Sequence, residues 1–343
     1  MYNNKMLEPR FNLIIGTEAT MNRLLESVTQ AKKTIRMQFF TFEGDSIGKR
    51  IAEALVAKAK EGVKIEFMCD DFSNWKINDK WIFSFHTPAT FFKLFKEWYA
   101  TQKTKLHMQF NGITIKTTNP LHLFKLRSSL TARDHRKLVI IDDTIAFTGG
   151  FNISEHNYNW HDTFTEIQVP EVISALTKIF DNKFQNKKQS KEPQQVGDTR
   201  LFHTTASLMK ELSTLIGNAK EKIFIESPYF SDKKIMKILK QKQQAGIAVH
   251  VILPKTNNSK FIGRIHRRYR KKYPNIIALR VRPTTMLHAK HMLIDNNSVF
   301  GSSNFLSSKY IDNHEELTLI TKDQAYNKML ANYFISAIKT QCI

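Results

Sequence analysis

An internal duplication constrains the fold of this chain more than any other feature of its sequence. The pattern His, any residue, Lys, four residues, Asp occurs at residues 135–142 and again at residues 288–295. Each copy follows two short apolar segments that flank a segment with helical apolar spacing. The same order of elements, repeated once over 343 residues, predicts two similar halves rather than two unrelated domains.

The segments that precede each copy of the pattern predict a strand, a helix and a parallel strand. They span residues 34–71 in the first half and 222–254 in the second. Both helices end at a glycine, Gly62 or Gly246, where a left-handed C-cap is expected. We therefore predict an α/β fold with two pseudo-symmetric α/β/α halves, mainly parallel sheets, and an active site where the halves meet.

A polar segment between the halves predicts the domain boundary. Residues 181–199 have no apolar periodicity and include Pro193, so we interpret them as a linker. The first half is then expected at residues 1–190 and the second at 198–343.

The repeated motif places two polar side chains at the entrance of a buried strand. Side chains alternate between the faces of a strand, so His135 and Lys137 point the same way. The same holds for His288 and Lys290. Apolar residues follow each pair, so the polar side chains are expected to face a cleft at the strand end.

The motif aspartates and the asparagines that follow are expected to play different roles. Asp142 and Asp295 lie at an odd offset from the histidines, so we assign them to the structure rather than to the reaction. Asn152 and Asn304 end the turns "TGGFN" and "FGSSN" and are predicted to bind phosphate oxygens. The small residues of these turns are expected to let backbone N–H groups approach the anion.

A carboxylate follows each histidine by 27 residues. These carboxylates are Asp162 in "WHDTF" and Glu315 in "NHEEL". A carboxylate bonded to one imidazole nitrogen fixes the tautomer and leaves the other nitrogen aimed at a substrate. Asp162 and Glu315 are therefore candidate catalytic residues.

Two imidazoles and two ammonium groups form a site suited to one phosphodiester. The lysines and asparagines would neutralise the non-bridging oxygens, where charge develops in the transition state. One imidazole would attack phosphorus, and the other would donate a proton to the departing oxygen. No metal or other cofactor is expected, since the lysines supply the positive charge. A zinc site at neighbouring histidines would lack cysteine ligands.

The charge balance favours anionic partners. Lys and Arg exceed Asp and Glu by 21, and the densest basic run lies at residues 264–272. Nucleic acid, an acidic membrane surface and phosphorylated substrates all fit such a charge. Two cysteines give no disulfide framework, and no apolar run reaches the length of a membrane helix. We therefore expect a cytoplasmic protein that works, if at a membrane, on its surface.

An aromatic-rich insertion distinguishes the first half from the second. Helical spacing places Phe91, Leu94, Phe95 and Trp98 on one face of a helix within residues 75–103. We interpret these side chains as core. The alternative is a surface that inserts into a membrane or lines an acyl chain.

The sequence resembles the phospholipase D superfamily, whose signature HxKxxxxD is present as "HRKLVIID" and "HAKHMLID". The resemblance extends from about residue 12 to 335, and is greatest to the cardiolipin synthase group through "WHDT", "ESPYF", "VILP" and "GSSNF". It implies a metal-independent phosphodiesterase or phosphatidyltransferase acting on anionic glycerophospholipids. It also implies that His135 forms a phosphohistidine and that His288 is the general acid.

Two other functions stay open from the residues alone. A nuclease of the same superfamily would use the same two-histidine site, and the basic charge would serve a nucleic-acid backbone equally well. A non-enzymatic binding protein with a degenerate site is disfavoured, because both histidines and both lysines are present. An oligomer is not required for catalysis, since one chain carries both motifs.

Overall fold

The structure is a computed structural model of the chain. It describes residues 10–82, 84, 86–121, 132–283, 285–305 and 314–343.

Ten helices occur in the described residues. They are α1 (Thr17–Gln30), α2 (Ser46–Lys60), α3 (Phe72–Trp75), α4 (Pro88–Phe110), α5 (Glu155–Tyr158), α6 (Pro170–Phe184), α7 (Thr205–Asn218), α8 (Lys233–Gln244), α9 (Lys260–Lys272) and α10 (Gln324–Gln341).

Seventeen strands occur in the same part of the chain. Those of the first half are β1 (Phe11–Ile15), β2 (Thr34–Phe39), β3 (Lys64–Asp70), β4 (Lys76–Ile77), β5 (Lys80–Trp81), β6 (Thr114–Thr118), β7 (Leu138–Ile141), β8 (Ile145–Gly149) and β9 (Thr163–Ile167). Those of the second half are β10 (Gln194–Val196), β11 (Thr199–Thr204), β12 (Lys222–Glu226), β13 (Ala248–Pro254), β14 (Ile277–Arg280), β15 (His291–Ile294), β16 (Asn297–Gly301) and β17 (Glu315–Thr321).

Each half contributes one large sheet. The first has seven strands in the order β1-β9-β8-β7-β2-β3-β6, and the second has eight in the order β10-β11-β17-β16-β15-β12-β13-β14. The hairpin β4–β5 is a separate two-stranded sheet. The equivalent strands β7 and β15, which follow the two histidine–lysine pairs, lie inside the two sheets.

The predicted strand–helix–strand units are confirmed in both halves. Strand β2 pairs with β3 in parallel, and β12 pairs with β13 in parallel. The helix between each pair ends before a glycine with positive φ, 89° at Gly62 and 84° at Gly246. A side chain is disfavoured in that conformation, which explains glycine at both positions.

The prediction of mainly parallel sheets was wrong. Strand β7 pairs antiparallel with both neighbours, β2 and β8, and β15 does so with β12 and β16. The physical reason is the connection after each motif strand. Only a few residues join β7 to β8 and β15 to β16, which permits a hairpin and excludes a parallel crossover. Both sheets are therefore mixed.

The predicted linker at residues 181–199 is shorter in the structure. Helix α6 continues to Phe184, because Phe180 and the preceding turns of α6 pack into the core. At the other end, β10 begins at Gln194 and pairs with β11 of the second sheet. The segment without regular structure is therefore confined to residues between α6 and β10.

Three hydrophobic clusters account for most of the core. One cluster belongs to the first half and packs α1 and α2 on its sheet, and another packs α7 and α8 on the second sheet. The third contains residues of both sheets together with α6 and α10. This shared cluster joins the halves below the ends of β7 and β15.

Only some of the α4 residues that we interpreted as core are buried in the structure. Leu94 is buried against Ile77 and Ile82, and Trp98 packs on this small cluster. Phe91 and Phe95 are instead exposed. Helical spacing alone did not reveal that the cluster beneath α4 is too small to cover them.

No helix among the described residues is long and apolar enough to span a bilayer.

A buried histidine outside the motif, His266, predicts that the free energy of unfolding falls as the pH is lowered. Burial lowers the pKa of His266 on α9 to about 4, whereas an unfolded histidine titrates near 6.5. Between these values the unfolded chain binds the extra proton, so stability falls as pH falls from 6.5 towards 4. His266 alone then accounts for about 2 kcal/mol between pH 7 and pH 5.

We expect His266→Gln to lose less stability than the wild type over this pH range, as measured by urea unfolding at both values. Glutamine retains a donor for the carbonyl of Phe230, which Nε2 of His266 contacts at 3.2 Å. An equal loss in both proteins would contradict a neutral His266.

Candidate active site

Backbone pairing across the two halves brings both motifs to one place. The N–H of His135 donates to the carbonyl of Glu315 at 2.9 Å. The N–H of His288 donates to the carbonyl of His161 at 2.7 Å. Each histidine is thus bonded through its main chain to the segment of the other half that carries a carboxylate.

The imidazole–carboxylate contacts are crossed between the halves. The Nδ1–H of His135 donates to Glu316 at 3.2 Å. The Nδ1–H of His288 donates to Asp162 at 2.7 Å. The contact with Glu316 leaves Nε2 of His135 facing the cavity, as the predicted tautomer control requires. Nε2 of His288 instead lies 3.1 Å from the ammonium of Lys290, which a substrate would have to displace.

Glu316, and not Glu315, is the carboxylate at His135, so the assignment of Glu315 was wrong. Successive side chains on β17 point to opposite faces, which separates the two glutamates. The side chain of Glu315 contacts Lys183 and Arg136 on the other face. The sequence "NHEEL" offers two adjacent glutamates as candidates. We chose Glu315 because it lies as far from His288 as Asp162 lies from His135, and this criterion was wrong.

The two lysines lie beside their histidines. The ammonium of Lys137 donates to the carbonyl of His135 at 2.8 Å, and that of Lys290 donates to the carbonyl of His288 at 2.6 Å. Burial and repulsion by Lys290 lower the pKa of Lys137 to about 7. Burial lowers the pKa of Lys290 to about 8. An anionic ligand would stabilise the charged form of both groups.

The pKa values of both motif histidines lie well below the ordinary value of a histidine. Burial and the adjacent ammonium groups lower the pKa of His135 and of His288 to about 4, against the opposing effect of their carboxylates. Burial also opposes ionisation of Glu316, yet His135 and Lys137 hold the pKa of this carboxyl below its usual range. A neutral imidazole beside an ionised carboxylate is the state a nucleophile needs.

Asn152 and Asn304 line the same cavity as the histidines. Both side chains are buried, and the Oδ1 atom of each has no hydrogen-bond partner within the described structure. An amide oxygen accepts hydrogen bonds and so does not bind a phosphate oxygen, whereas the N–H groups of the same amide can donate to one. The location of both side chains at the cavity is thus compatible with the predicted phosphate-binding role, through their N–H groups.

The small residues of the two turns serve the carboxylates rather than an anion. A Cβ on Gly150 would lie 2.1 Å from Oδ1 of Asp162, so glycine is required by this close approach. At the equivalent position, the hydroxyl of Ser302 donates to Glu316. The N–H of Gly150 is bonded to the carbonyl of Thr163, which removes it from the predicted anion contact.

Asp142 and Asp295 occupy turns away from the cavity. Asp142 accepts hydrogen bonds from the backbone N–H groups of residues 32–34, and Asp295 accepts them from residues 220–222. Each carboxylate therefore fixes the start of β2 or β12. These contacts agree with a structural role.

Four aromatic rings near the histidines were not identified from the sequence. Phe40 lies 4.8 Å from the ring of His135, and Trp160 lies 5.1 Å from that of His288. His314 and Tyr229 complete this aromatic wall at 6.3 and 6.2 Å. Trp160 and His314 each lie two residues before a carboxylate that contacts a motif histidine, which was a usable signal. The cavity measures about 240 Å³.

The arrangement provides every group that a two-step phosphoryl transfer needs. Two imidazoles with fixed tautomers face one cavity, and two ammonium groups lie beside them. A pair of imidazoles can serve one as nucleophile and the other in proton transfer. The lysines and asparagines are donors of the kind that binds non-bridging oxygens.

Family comparison agrees with this geometry. The family model described as "Cardiolipin synthase, PLD-like domain" matches residues 24–184 and 212–338, which is most of the chain. Cardiolipin synthase of Clostridium perfringens is 26% identical over 96% of this chain and 70% of its own length. Cardiolipin synthase 1 of Staphylococcus epidermidis is 25% identical over 95% of this chain and 67% of its own length.

A solved structure shares the fold. Phosphatidylserine synthase of Haemophilus influenzae superposes with a TM-score of 0.71 at 11% sequence identity, covering 97% of this chain and 87% of that one. The fold of this chain is therefore a known one.

Replacing each of the two adjacent glutamates by glutamine tests the assignment of Glu316 to the site. Glu316→Gln should lower kcat on a soluble phosphodiester on the order of 10³-fold, because the amide no longer holds the reactive tautomer of His135. Glu315→Gln is the matched control and should retain kcat within a few fold. Steady-state kinetics with bis(p-nitrophenyl) phosphate measure both, and a larger loss for Glu315→Gln would contradict the assignment.

Proposed function

This chain belongs to the cardiolipin synthase family of phospholipase D-like domains. From this premise we propose that the protein is a phosphatidyltransferase that acts on anionic glycerophospholipids through a covalent phosphohistidine. The observation that carries the proposal is the pair of imidazoles that line one cavity, each held by a carboxylate of the other half and each beside a buried lysine.

In the first step, Nε2 of His135 attacks the phosphorus of the donor lipid. An N–P bond forms while the P–O bond to the leaving alcohol breaks, and His288 donates its proton to the departing oxygen. The contact of Asp162 with His288, at 2.7 Å, is shorter than that of Glu316 with His135, at 3.2 Å. The closer carboxylate favours a protonated His288, whereas the ammonium of Lys290, 3.1 Å from Nε2, opposes it. The role of His288 as the acid in this proposal follows the family resemblance.

In the second step, the acceptor alcohol replaces the leaving group. His288 removes the proton of the acceptor hydroxyl, whose oxygen attacks phosphorus and breaks the N–P bond to His135. Lys137, Lys290 and the two asparagine amides neutralise the non-bridging oxygens in both steps. No metal or other cofactor takes part, because these side chains supply the charge.

The reaction takes place on the cytoplasmic surface of a membrane in this proposal. Exposed basic side chains on and before α9 line a groove, including Lys255, Lys260, Arg264 and Arg267. Asn258, between these residues, lines the active-site cavity. Each Lys or Arg near an acidic surface adds on the order of 1 kcal/mol to binding. The groove would therefore hold anionic headgroups next to the site.

A nuclease is the second candidate, because the same groove would follow a nucleic-acid backbone. The phosphatidyltransferase and the nuclease need the same histidines, so only the substrate that is turned over distinguishes the two functions.

The direct test is to assay turnover of lipid and DNA substrates side by side. Purified protein is incubated with phosphatidylglycerol vesicles, single-stranded DNA and double-stranded DNA, all in chelator, and products are identified by mass spectrometry. We expect cardiolipin and glycerol, because the alcohol of a second lipid is the acceptor. Phosphatidic acid would mean that water accepts the phosphatidyl group.

His135→Ala and His288→Ala are the controls, and each should reduce turnover to background since the two groups act as a unit. Cut DNA with intact lipid would overturn the lipid substrate and leave the two-histidine chemistry. A strict need for added metal would refute the account in which lysines supply the charge.

A further inference from the structure

Exposed apolar side chains are concentrated on the insertion of the first half. Of the twelve large hydrophobic side chains that are exposed in the described chain, eight lie between Trp75 and Phe110. On α4, Phe91, Phe92, Phe95 and Tyr99 are 36, 69, 45 and 60% exposed, and we call these four the aromatic face. Soluble proteins seldom expose a contiguous patch of this kind without a function.

The rings form a continuous surface. Phe91 lies 6.0 Å from Phe92 and 6.2 Å from Phe95, and Phe95 lies 5.5 Å from Trp98. Helical spacing of 100° per residue places all four residues of the aromatic face within about a quarter of the helix circumference.

The opposite side of α4 is held firmly on the protein. Leu94 and Met108 are buried, and the hydroxyl of Thr101 accepts the N–H of Gly44 at 2.8 Å. A Cβ on Gly44 would lie 2.6 Å from the carbonyl of Ala100, so the helix approaches the first half very closely there. The aromatic face therefore points outward from a fixed helix.

A series of ring contacts leads from the hairpin β4–β5 to the reactive histidine. Phe40 contacts His135 at 4.8 Å, Phe72 stacks on Phe40 at 5.5 Å, and Trp81 meets Phe72 at 4.9 Å. Trp81 ends the hairpin β4–β5, whose Ile77 packs under α4. The hairpin that carries this path thus packs against the buried side of α4, through Ile77 and Leu94.

Basic side chains flank the aromatic face. Lys93, Lys96 and Lys103 are exposed on α4, and the spacing places Lys96 and Lys103 at its edge. The basic helix α9 lies on the same side of the cavity, because Asn258 before α9 donates to Asp79 of the hairpin at 3.1 Å. Aromatic rings between lysines suit the interface of an anionic bilayer, where rings enter the headgroup region and ammonium groups stay outside.

We infer that the aromatic face of α4 is a docking surface for an anionic glycerophospholipid bilayer. This inference rests on the proposed function and adds the surface that presents the lipid. The rings of Trp81, Phe72 and Phe40 would then offer the acyl chains of a donor lipid apolar contacts between the protein surface and His135.

Vesicle flotation tests the surface. The double variant Phe92→Ala/Phe95→Ala should bind vesicles of equal phosphatidylglycerol and phosphatidylcholine about tenfold more weakly than the wild type, because two rings no longer enter the interface. Ile335→Ala on α10 is the matched control, since this apolar side chain is 44% exposed on another helix. It should bind like the wild type.

Two further measurements separate this surface from catalysis and from folding. On short-chain, monomeric phosphatidylglycerol, the double variant should retain wild-type turnover, because no bilayer is involved. The variant Phe92→Trp should gain fluorescence that brominated lipids quench, since the new ring lies among the acyl chains.

Unchanged vesicle binding by the double variant, or no added quenching in Phe92→Trp, would overturn the inference. A wild-type dimer that becomes a monomer in the double variant, with vesicle binding unchanged, would assign the aromatic face to a second copy instead. A wild type that binds vesicles through this face but turns over no lipid would support the docking surface and refute the proposed function.

Discussion

The rest of the site depends on one constraint, which is that each reactive imidazole is held by a carboxylate of the opposite half. Glu316 holds His135, and Asp162 holds His288. Main-chain bonds between the same segments keep these side chains in place. Neither half alone contains a complete imidazole–carboxylate pair. The shared hydrophobic cluster between the sheets therefore has a catalytic consequence, because it sets the distance across which both pairs form.

Charge balance among the buried lysines, histidines and carboxylates bears directly on the proposed reaction. Burial lowers the pKa of both lysines and both histidines, so these four groups carry less positive charge than they would in water. A phosphodiester adds one negative charge, which favours protonated lysines and a proton on one imidazole. In the proposed mechanism, substrate binding would thus supply the general acid for the first step. Asp162 favours this proton on His288, and the adjacent Lys290 opposes it.

The sequence predicted the motif residues and the local secondary structure, but it did not predict which side chains meet across the two halves. The motif predicted His135 and His288 correctly as neighbours of one cavity, and the glycine-capped helices predicted the parallel strand pairs. Spacing within one half gave Glu315 instead of Glu316, because strand alternation in β17 decides which glutamate enters the site. The mixed sheets follow from short hairpin connections that the predicted topology neglected. The exposed side of α4 depends on the size of the cluster beneath it, which periodicity does not report.

Histidine nitrogen chemical shifts test the crossed arrangement most directly. In protein with ¹⁵N-labelled histidine, Asp162→Asn should change the Nδ1 shift of His288 and leave that of His135 unchanged. Glu316→Gln should do the reverse. This outcome would establish that each half orients the imidazole of the other. A response of His135 to Asp162→Asn, with His288 unaffected, would mean that the pairs form within each half and would contradict the account.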